Sequence, residues 1–323
     1  MQRLDAAATL AEAMERRPAL RALLEACAPL MELRTSLPGR LAESVKACGF
    51  RLPGWDEERA AEGEPLLERV DIAALVQPFR EACLAFVPGL SSMHGLSGQL
   101  ASLEAFFQQD DASLIPAIRA FLSSDAEALA SQGAAFELPP AVLAFVLELA
   151  FGAVIRAAVL LEYPSASCSQ YGPDDVPAPW DARPASWTYG WCPICGGSPS
   201  IAYLEEKIFD EKNAFVSGGG GRKHLHCGSC GTEWHFRRGD CPACGREEND
   251  ALEILREAEG ARGERVEWCR YCQGYLPVID LRERSSRPDM DAQALAMMHL
   301  DIVAAEKGLH PLSPAFWNQF MTE

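Results

Sequence analysis

Residues 225–244 read Leu-His-Cys-Gly-Ser-Cys-Gly-Thr-Glu-Trp-His-Phe-Arg-Arg-Gly-Asp-Cys-Pro-Ala-Cys, so that two Cys-x-x-Cys pairs stand ten residues apart. The same spacing occurs twice more in this chain of 323 residues. The four pairs are Cys192/Cys195, Cys227/Cys230, Cys241/Cys244 and Cys269/Cys272. Because a random scatter of the 12 cysteines would give about 0.4 such pairs, chance does not explain the spacing.

Eight thiolates are the number that two closed tetrahedral metal sites require. Two residues between the ligands let the backbone wrap around one ion, and a glycine after the second cysteine permits the tight turn with positive φ. Gly196, Gly231 and Gly245 stand at that place in three pairs, whereas Gln273-Gly274 follows the fourth. We therefore predict that all eight paired cysteines bind two metal ions, and that the other cysteines do not. Those are Cys27, Cys48, Cys83 and Cys168.

The pattern leaves several alternatives open. A single Cys-x-x-Cys is also a redox motif, but that motif opens a helix, whereas these pairs stand between short strand patterns. Four thiolates suit zinc and iron equally well. We favour sequential sharing, with the first two pairs on one ion and the last two on the other. Sharing of the second and third pairs, or a crossed arrangement, would also close. Three nearby histidines are surplus to eight cysteines, namely His224, His226 and His235.

The composition changes along the chain and predicts its domains. Residues 1–163 show apolar side chains at three- and four-residue spacings, which predicts an all-α bundle with helices at 8–27, 41–48, 66–86, 98–109, 114–131 and 141–162. Residues 164–190 combine five prolines with Trp180, Trp187 and Tyr189, which predicts a linker that packs across a domain boundary. Residues 191–281 alternate cysteine pairs with strand patterns at 200–204, 223–226, 232–237, 265–268 and 275–281. Residues 282–323 form a C-terminal segment with a helix at 291–307.

Charge and hydropathy exclude two classes of partner. A formal net charge of −17 repels phosphate backbones, so nucleic acid is not expected as a partner. Residues 141–161 are long enough to cross a bilayer, but Glu148 and Arg156 cost about as much free energy on insertion as the apolar residues return. We predict the central buried helix of the bundle and no membrane span. The first residues lack the pattern of a secretion signal, so we expect a cytoplasmic protein.

Three stretches carry a resemblance to a known family. They are Trp-Cys-Pro-Ile-Cys-Gly-Gly-Ser-Pro at 191–199, residues 225–244 quoted above, and Glu-Trp-Cys-Arg-Tyr-Cys-Gln-Gly-Tyr-Leu at 267–276. Together they resemble the formate dehydrogenase accessory protein FdhE family, specifically over about 190–310. The resemblance implies metal sites like rubredoxin centres that hold iron. It also implies a cytoplasmic maturation factor for respiratory formate dehydrogenase that associates with the catalytic subunit before export.

The predicted architecture is α+β. It consists of an N-terminal all-α helical bundle, a small rubredoxin- or zinc-ribbon-like β module with two four-cysteine metal sites, and a C-terminal helix. We expect a chaperone-like accessory protein that binds the formate dehydrogenase catalytic subunit. It is not expected to be an enzyme, because closed four-cysteine sites have no free position for a substrate. The alternatives are a rubredoxin-like electron carrier or redox protein, and a nucleic-acid-binding zinc-ribbon protein.

Overall fold

The structure is a computed structural model that describes residues 1–93, 95–163, 179–181, 187–206, 221–248, 250–257 and 261–318. It divides into two compact units. The unit called the cysteine unit comprises Met1–Arg16, Trp55–Glu68 and Cys168–Glu323, and the helical unit comprises Arg17–Gly54 and Arg69–Ser167. Helices and a sheet are both present, which confirms the predicted α+β class.

The helices are, in chain order, α1 (Ala6–Arg16), α2 (Arg21–Ala47), α3 (Glu57–Ala61), α4 (Val76–Phe86), α5 (Leu100–Phe107), α6 (Asp111–Leu122), α7 (Ala126–Gly133), α8 (Pro140–Glu162), α9 (Met290–Ala296) and α10 (Met298–Glu306). The strands are β1 (Gln2–Arg3), β2 (Pro199–Leu204), β3 (Lys223–Cys227), β4 (Glu233–Phe236), β5 (Leu252–Leu255), β6 (Glu264–Cys269), β7 (Gly274–Asp280), β8 (Ser286–Arg287) and β9 (His310–Pro311).

The first helix boundary differs from the prediction. The chain breaks at Pro18, and α2 then runs without interruption through Pro29 and Pro38, where the sequence pattern predicted two separate helices. A proline inside a helix removes one backbone hydrogen bond, at a cost of about 3 kcal/mol. The helix buries a long apolar face that includes Leu24 and Leu37, and this packing outweighs the loss.

Helix α8 is the central helix of the helical unit, as predicted. It packs against α2 and α4, and about two thirds of its most apolar stretch of 18 residues is buried. Its length and composition alone would also suit a membrane span. The two charged side chains in its interior, Glu148 and Arg156, face polar groups of the same unit. Arg156 approaches the Arg34 carbonyl oxygen at 3.4 Å, and burial raises the pKa of the Glu148 carboxyl although the charge of Arg34 opposes this effect. The prediction of a buried core helix is confirmed.

A seven-stranded sheet forms the centre of the cysteine unit. Six strands lie in the order β4-β3-β2-β7-β6-β5, and β9 also pairs with β7. The central strands β2 and β7 are parallel, and each begins an antiparallel series, β2-β3-β4 on one side and β7-β6-β5 on the other. All five predicted strands are present, whereas β5 was not predicted.

The first residues of the chain belong to the cysteine unit, which differs from the predicted helical domain at 1–163. Strand β1 pairs in parallel with β8, and α1 packs against α9. The Arg16 guanidinium donates to the buried Glu264 carboxylate at 2.6 Å, and Arg284 binds Glu12 at 2.9 Å. The apolar periodicity of α1 predicts a helix correctly. It does not predict which surface the helix covers, because that surface comes from residues at least 248 positions away.

The aromatic residues predicted to fill the linker pack within the cysteine unit. Trp180 and Trp187 are fully buried, and their rings lie 5.7 Å and 6.2 Å from the ring of Trp55. The Trp234 indole donates to the Tyr189 carbonyl oxygen at 3.0 Å. These side chains therefore join the segment Trp55–Glu68 to the strands. The remaining linker residues 164–178 and 182–186 lie outside the described residues.

Candidate metal centres

Each Cys-x-x-Cys pair forms the same closed turn. The amide of the residue after the second cysteine donates to the carbonyl oxygen of the first cysteine, over 2.8–3.0 Å in all four pairs. That residue has φ of +72° at Gly196, +70° at Gly231, +69° at Gly245 and +57° at Gln273. The predicted positive-φ glycines are confirmed in three turns, and in the fourth a glutamine adopts the same conformation.

The four turns lie at the ends of strands. The first turn precedes β2, the second connects β3 to β4, the third follows β4, and the fourth connects β6 to β7. The strand ends therefore bring the pairs together in two groups. Cluster 1 consists of Cys192, Cys195, Cys227 and Cys230. Cluster 2 consists of Cys241, Cys244, Cys269 and Cys272.

The grouping confirms sequential sharing of the pairs. In each cluster, all four sulfur atoms lie within 4.8 Å of one another. Sγ–Sγ distances of 3.5 Å join Cys192 to Cys230 and Cys195 to Cys227. In cluster 2, distances of 3.7 Å join Cys241 to Cys272 and Cys244 to Cys269.

These distances fit the ligands of one tetrahedral ion in each cluster. Four thiolates at about 2.3 Å from a common ion have sulfur atoms about 3.8 Å apart, whereas sulfurs joined in a disulfide are about 2.05 Å apart. The distances of 3.5–3.7 Å agree with the first arrangement and not with the second. The clusters could therefore hold two metal ions, and a four-thiolate set suits iron or zinc.

Cluster 1 has polar neighbours that the sequence did not indicate. The Thr232 hydroxyl lies 3.2 Å from Cys230 Sγ, and the Ile194 amide donates to Cys192 Sγ at 3.4 Å. Thr232 is 2% exposed, so its hydroxyl is held in place beside the sulfur. Hydrogen bonds to sulfur stabilise the thiolate form and tune a bound ion. The position of Thr232 two residues after Cys230 is the one sequence signal that could have pointed to it.

Two of the three histidines near the cysteine pairs, His224 and His226, face carboxylates, whereas the His235 ring lies 5.9 Å from the ring of His224. His224 Nε2 lies 2.8 Å from Glu205, and His226 lies between Asp291 at 3.3 Å and Glu233 at 3.4 Å. In the part of the chain that the structure describes, the two four-ligand groups contain cysteines alone.

Strand β4 carries the Thr-Glu-Trp-His motif. Trp234 and Phe236 are buried on one face of the strand, as a period of two residues requires. Glu233, on the other face, is buried too and binds the Arg287 guanidinium at 2.6 Å. Burial alone would raise the pKa of this carboxyl. The charge of Arg287 and the hydrogen bond between Glu233 and His226 nevertheless hold the pKa well below its usual range. Glu233 therefore remains an anion that joins β4 to β8.

Three of the four unpaired cysteines, Cys27, Cys48 and Cys83, belong to the helical unit. Cys27 and Cys83 are buried in the helical unit, where burial raises the pKa of the Cys27 thiol to about 11. Cys48 is exposed at the end of α2. Cys168 lies outside the described residues, so the prediction made for it has no structural counterpart.

Comparisons with known proteins give concordant results. Protein FdhE homolog of Aquifex aeolicus is 31% identical over 123 residues, which are 38% of this chain and 39% of that protein. Protein FdhE homolog of Shewanella sp. (strain MR-4) is 33% identical over 117 residues, which are 36% of this chain and 34% of that protein. The matches thus span well under half the length of these relatives. No family model matches the chain.

A solved structure matches nearly the whole fold. The crystal structure of the FdhE protein from Pseudomonas aeruginosa covers 96% of this chain and 93% of its own, with a TM-score of 0.56 and 22% sequence identity. At this level of identity the match shows a shared fold. It extends the similarity beyond the stretch that the sequence comparisons align.

Proposed function

We propose that this chain is a member of the FdhE family and acts as a cytoplasmic accessory protein required for the formation of active respiratory formate dehydrogenase. In this role it binds the catalytic subunit of that enzyme and carries two four-cysteine metal centres. The metal ligands are the eight paired cysteines, with iron or zinc as the ion. The observation that carries the proposal is the pair of tetrahedral sulfur clusters, built from motifs that resemble those of the family.

The chemistry of the clusters favours a binding role over a catalytic one. Each cluster provides four thiolates, which complete a tetrahedral coordination shell. A catalytic metal site keeps one position for water or substrate, and a fourth cysteine occupies that position. When bound, each ion would supply cross-links between distant turns of the cysteine unit. The cysteines hold the ion, and the hydroxyl of Thr232 and the amide of Ile194 hold two of the cysteines.

The ions would also fix the surface that a partner meets. The first turn of cluster 1 is bound by a neighbouring segment of the chain. The amides of Leu66 and Leu67 donate to the carbonyl oxygens of Pro193 and Ile194 at 2.9 Å. Small modules of strands and turns draw about 10–16 kcal/mol of apparent folding free energy from such an ion. Loss of the ion would therefore remove the surface, and with it the binding of the catalytic subunit.

The test is co-purification of the formate dehydrogenase catalytic subunit under anaerobic conditions. The wild type is compared with the double variant Cys227→Ser, Cys230→Ser and with Cys48→Ser, which changes an exposed cysteine outside both clusters. We expect recovery of the subunit with the wild type and with Cys48→Ser, and its loss with the double variant. Equal recovery with the double variant would exclude cluster 1 from the binding function. If the wild type recovers no subunit, the accessory function itself is wrong.

A further inference from the structure

The two cysteine clusters differ in their exposure to solvent. In cluster 1, Cys192 and Cys227 are 0% exposed, Cys230 is 2% exposed and Cys195 is half-buried. In cluster 2, Cys244 is exposed and Cys272 is half-buried. The clusters thus share the same kind of ligands and turns, but within the described residues only cluster 2 contains an exposed cysteine.

The difference arises from what covers each cluster. Leu66 and Leu67 bind the backbone of the first turn, as described above, and this contact comes from a segment more than 120 residues earlier in the chain. Beside Cys244, the neighbouring side chains are themselves half-exposed. The Arg246 guanidinium lies 4.5 Å from the centre of the Tyr271 ring, and Tyr271 is 50% exposed. Cys244 itself is exposed, and among its described neighbours Arg246 and Tyr271 are exposed as well.

The backbone of cluster 2 is also the more strained one. Its fourth turn places Gln273 at φ +57°, a conformation that a residue with a side chain adopts at a cost in free energy. The equivalent residue is Gly196 or Gly231 in the turns of cluster 1, where positive φ carries no such cost. Cluster 1 additionally has the Thr232 hydroxyl beside Cys230 Sγ, whereas Arg246 takes the matching position after Cys244 in cluster 2.

We propose that cluster 2 is an exchangeable site for soft divalent ions, in which Cys244 is the first sulfur to be released to solvent, and that cluster 1 is a structural site. The inference goes beyond the accessory function and rests only on both clusters binding ions. The two clusters thus have different roles, metal exchange and structural support, although both consist of two Cys-x-x-Cys pairs. Exposure, lack of cover and backbone strain all point to cluster 2 as the more labile site.

The first experiment measures the release of Zn²⁺ from the full chain reconstituted with two equivalents. An excess of the coloured chelator 4-(2-pyridylazo)resorcinol is added, and iodoacetamide is present to alkylate each thiolate as it is released. We expect one equivalent of Zn²⁺ to leave at least about tenfold faster than the other. Mass spectrometry of samples taken during the fast phase should find the label on Cys244 first. Release of both ions in one phase, or first labelling in the peptides that contain Cys192–Cys230, would overturn the proposal.

Matched variants assign the two phases. Cys244→Ser should lose the fast phase and keep the slow one, with unchanged circular dichroism. Thr232→Val removes the hydroxyl beside Cys230 and should accelerate only the slow phase. If Cys244→Ser abolishes both phases, or if Thr232→Val accelerates the fast phase alone, the assignment of tasks is wrong. The labelling order in the wild type decides the question even if a variant does not fold.

Discussion

Replacing Asp301 with asparagine should change how the stability of the cysteine unit depends on pH. Asp301 lies on α10 and is 0% exposed. Neither of its carboxyl oxygens has a hydrogen-bond partner of ordinary geometry among the described residues, and the same holds for the nearby Tyr275 hydroxyl. Burial raises the pKa of the Asp301 carboxyl to about 7, an effect that the Tyr275 hydroxyl only partly opposes.

The sign and size of the effect follow from linkage. Between about pH 4 and pH 7 the folded protein keeps a proton on Asp301 that the unfolded chain has already released. The free energy of unfolding of the wild type therefore falls as the pH rises through this range. A shift from about 4 to about 7 corresponds to about 4 kcal/mol in total, of which about 2 kcal/mol lies between about pH 5.5 and pH 8. Asparagine does not titrate, so Asp301→Asn does not show this loss.

The assay is urea unfolding of Zn²⁺-loaded wild type and Asp301→Asn across this pH range. The pH dependence of metal binding is common to both proteins and cancels in the difference between them. We expect the stability of the variant relative to wild type to increase by about 2 kcal/mol from the acid to the alkaline end. Glu306→Gln removes an exposed carboxyl from the same helix and should follow the wild-type profile. Parallel profiles for Asp301→Asn and wild type would refute the reasoning.

Three further predictions concern the turns and the ions. Gln273→Gly should raise the free energy of unfolding by about 1 kcal/mol in urea titrations, because it relieves the positive φ of that residue; an unchanged midpoint would contradict the strain. Gly190→Ala should destabilise the cysteine unit by about 3 kcal/mol or more, because its Cβ would lie 1.9 Å from the Pro242 carbonyl oxygen. Gly98→Ala, which meets nothing within 4 Å, is the control, and equal melting temperatures would disprove the clash. Chelation of both ions should abolish amide protection in the β2–β7 sheet but leave the helical circular dichroism of α2 and of α4–α8, which form the helical unit. A single transition that removes both signals would show that the two units do not fold independently.

The cysteine clusters were predictable because their signal is local. Two intervening residues restrict the backbone of each turn, and a following glycine permits the positive φ in three of the four, whatever surrounds them. The helix α8 was predictable for a similar reason, since its apolar residues cover the whole circumference and Glu148 and Arg156 argue against a bilayer.

The features that the sequence did not indicate depend on distant contacts. Strand β5 reads Leu-Glu-Ile-Leu, which is too short and too mixed to separate from a loop until β6 pairs with it. The burial of Glu233 depends on Arg287, which lies 54 residues further along the chain. The membership of α1 in the cysteine unit depends on Glu264 and Arg284 in the same way. The apolar periodicity of a helix or strand indicates which of its faces is buried. Only the folded structure shows which other element packs against that face.

The pairing of β1 with β8 has a consequence for the order of events during synthesis. Residues of the helical unit lie between the two strands in the chain, so this unit is complete once about half of the protein has left the ribosome. Arg3 of β1 can pair with Arg287 of β8 only after Arg287 has been synthesised. The cysteine unit can therefore be completed only after the whole helical unit has been synthesised.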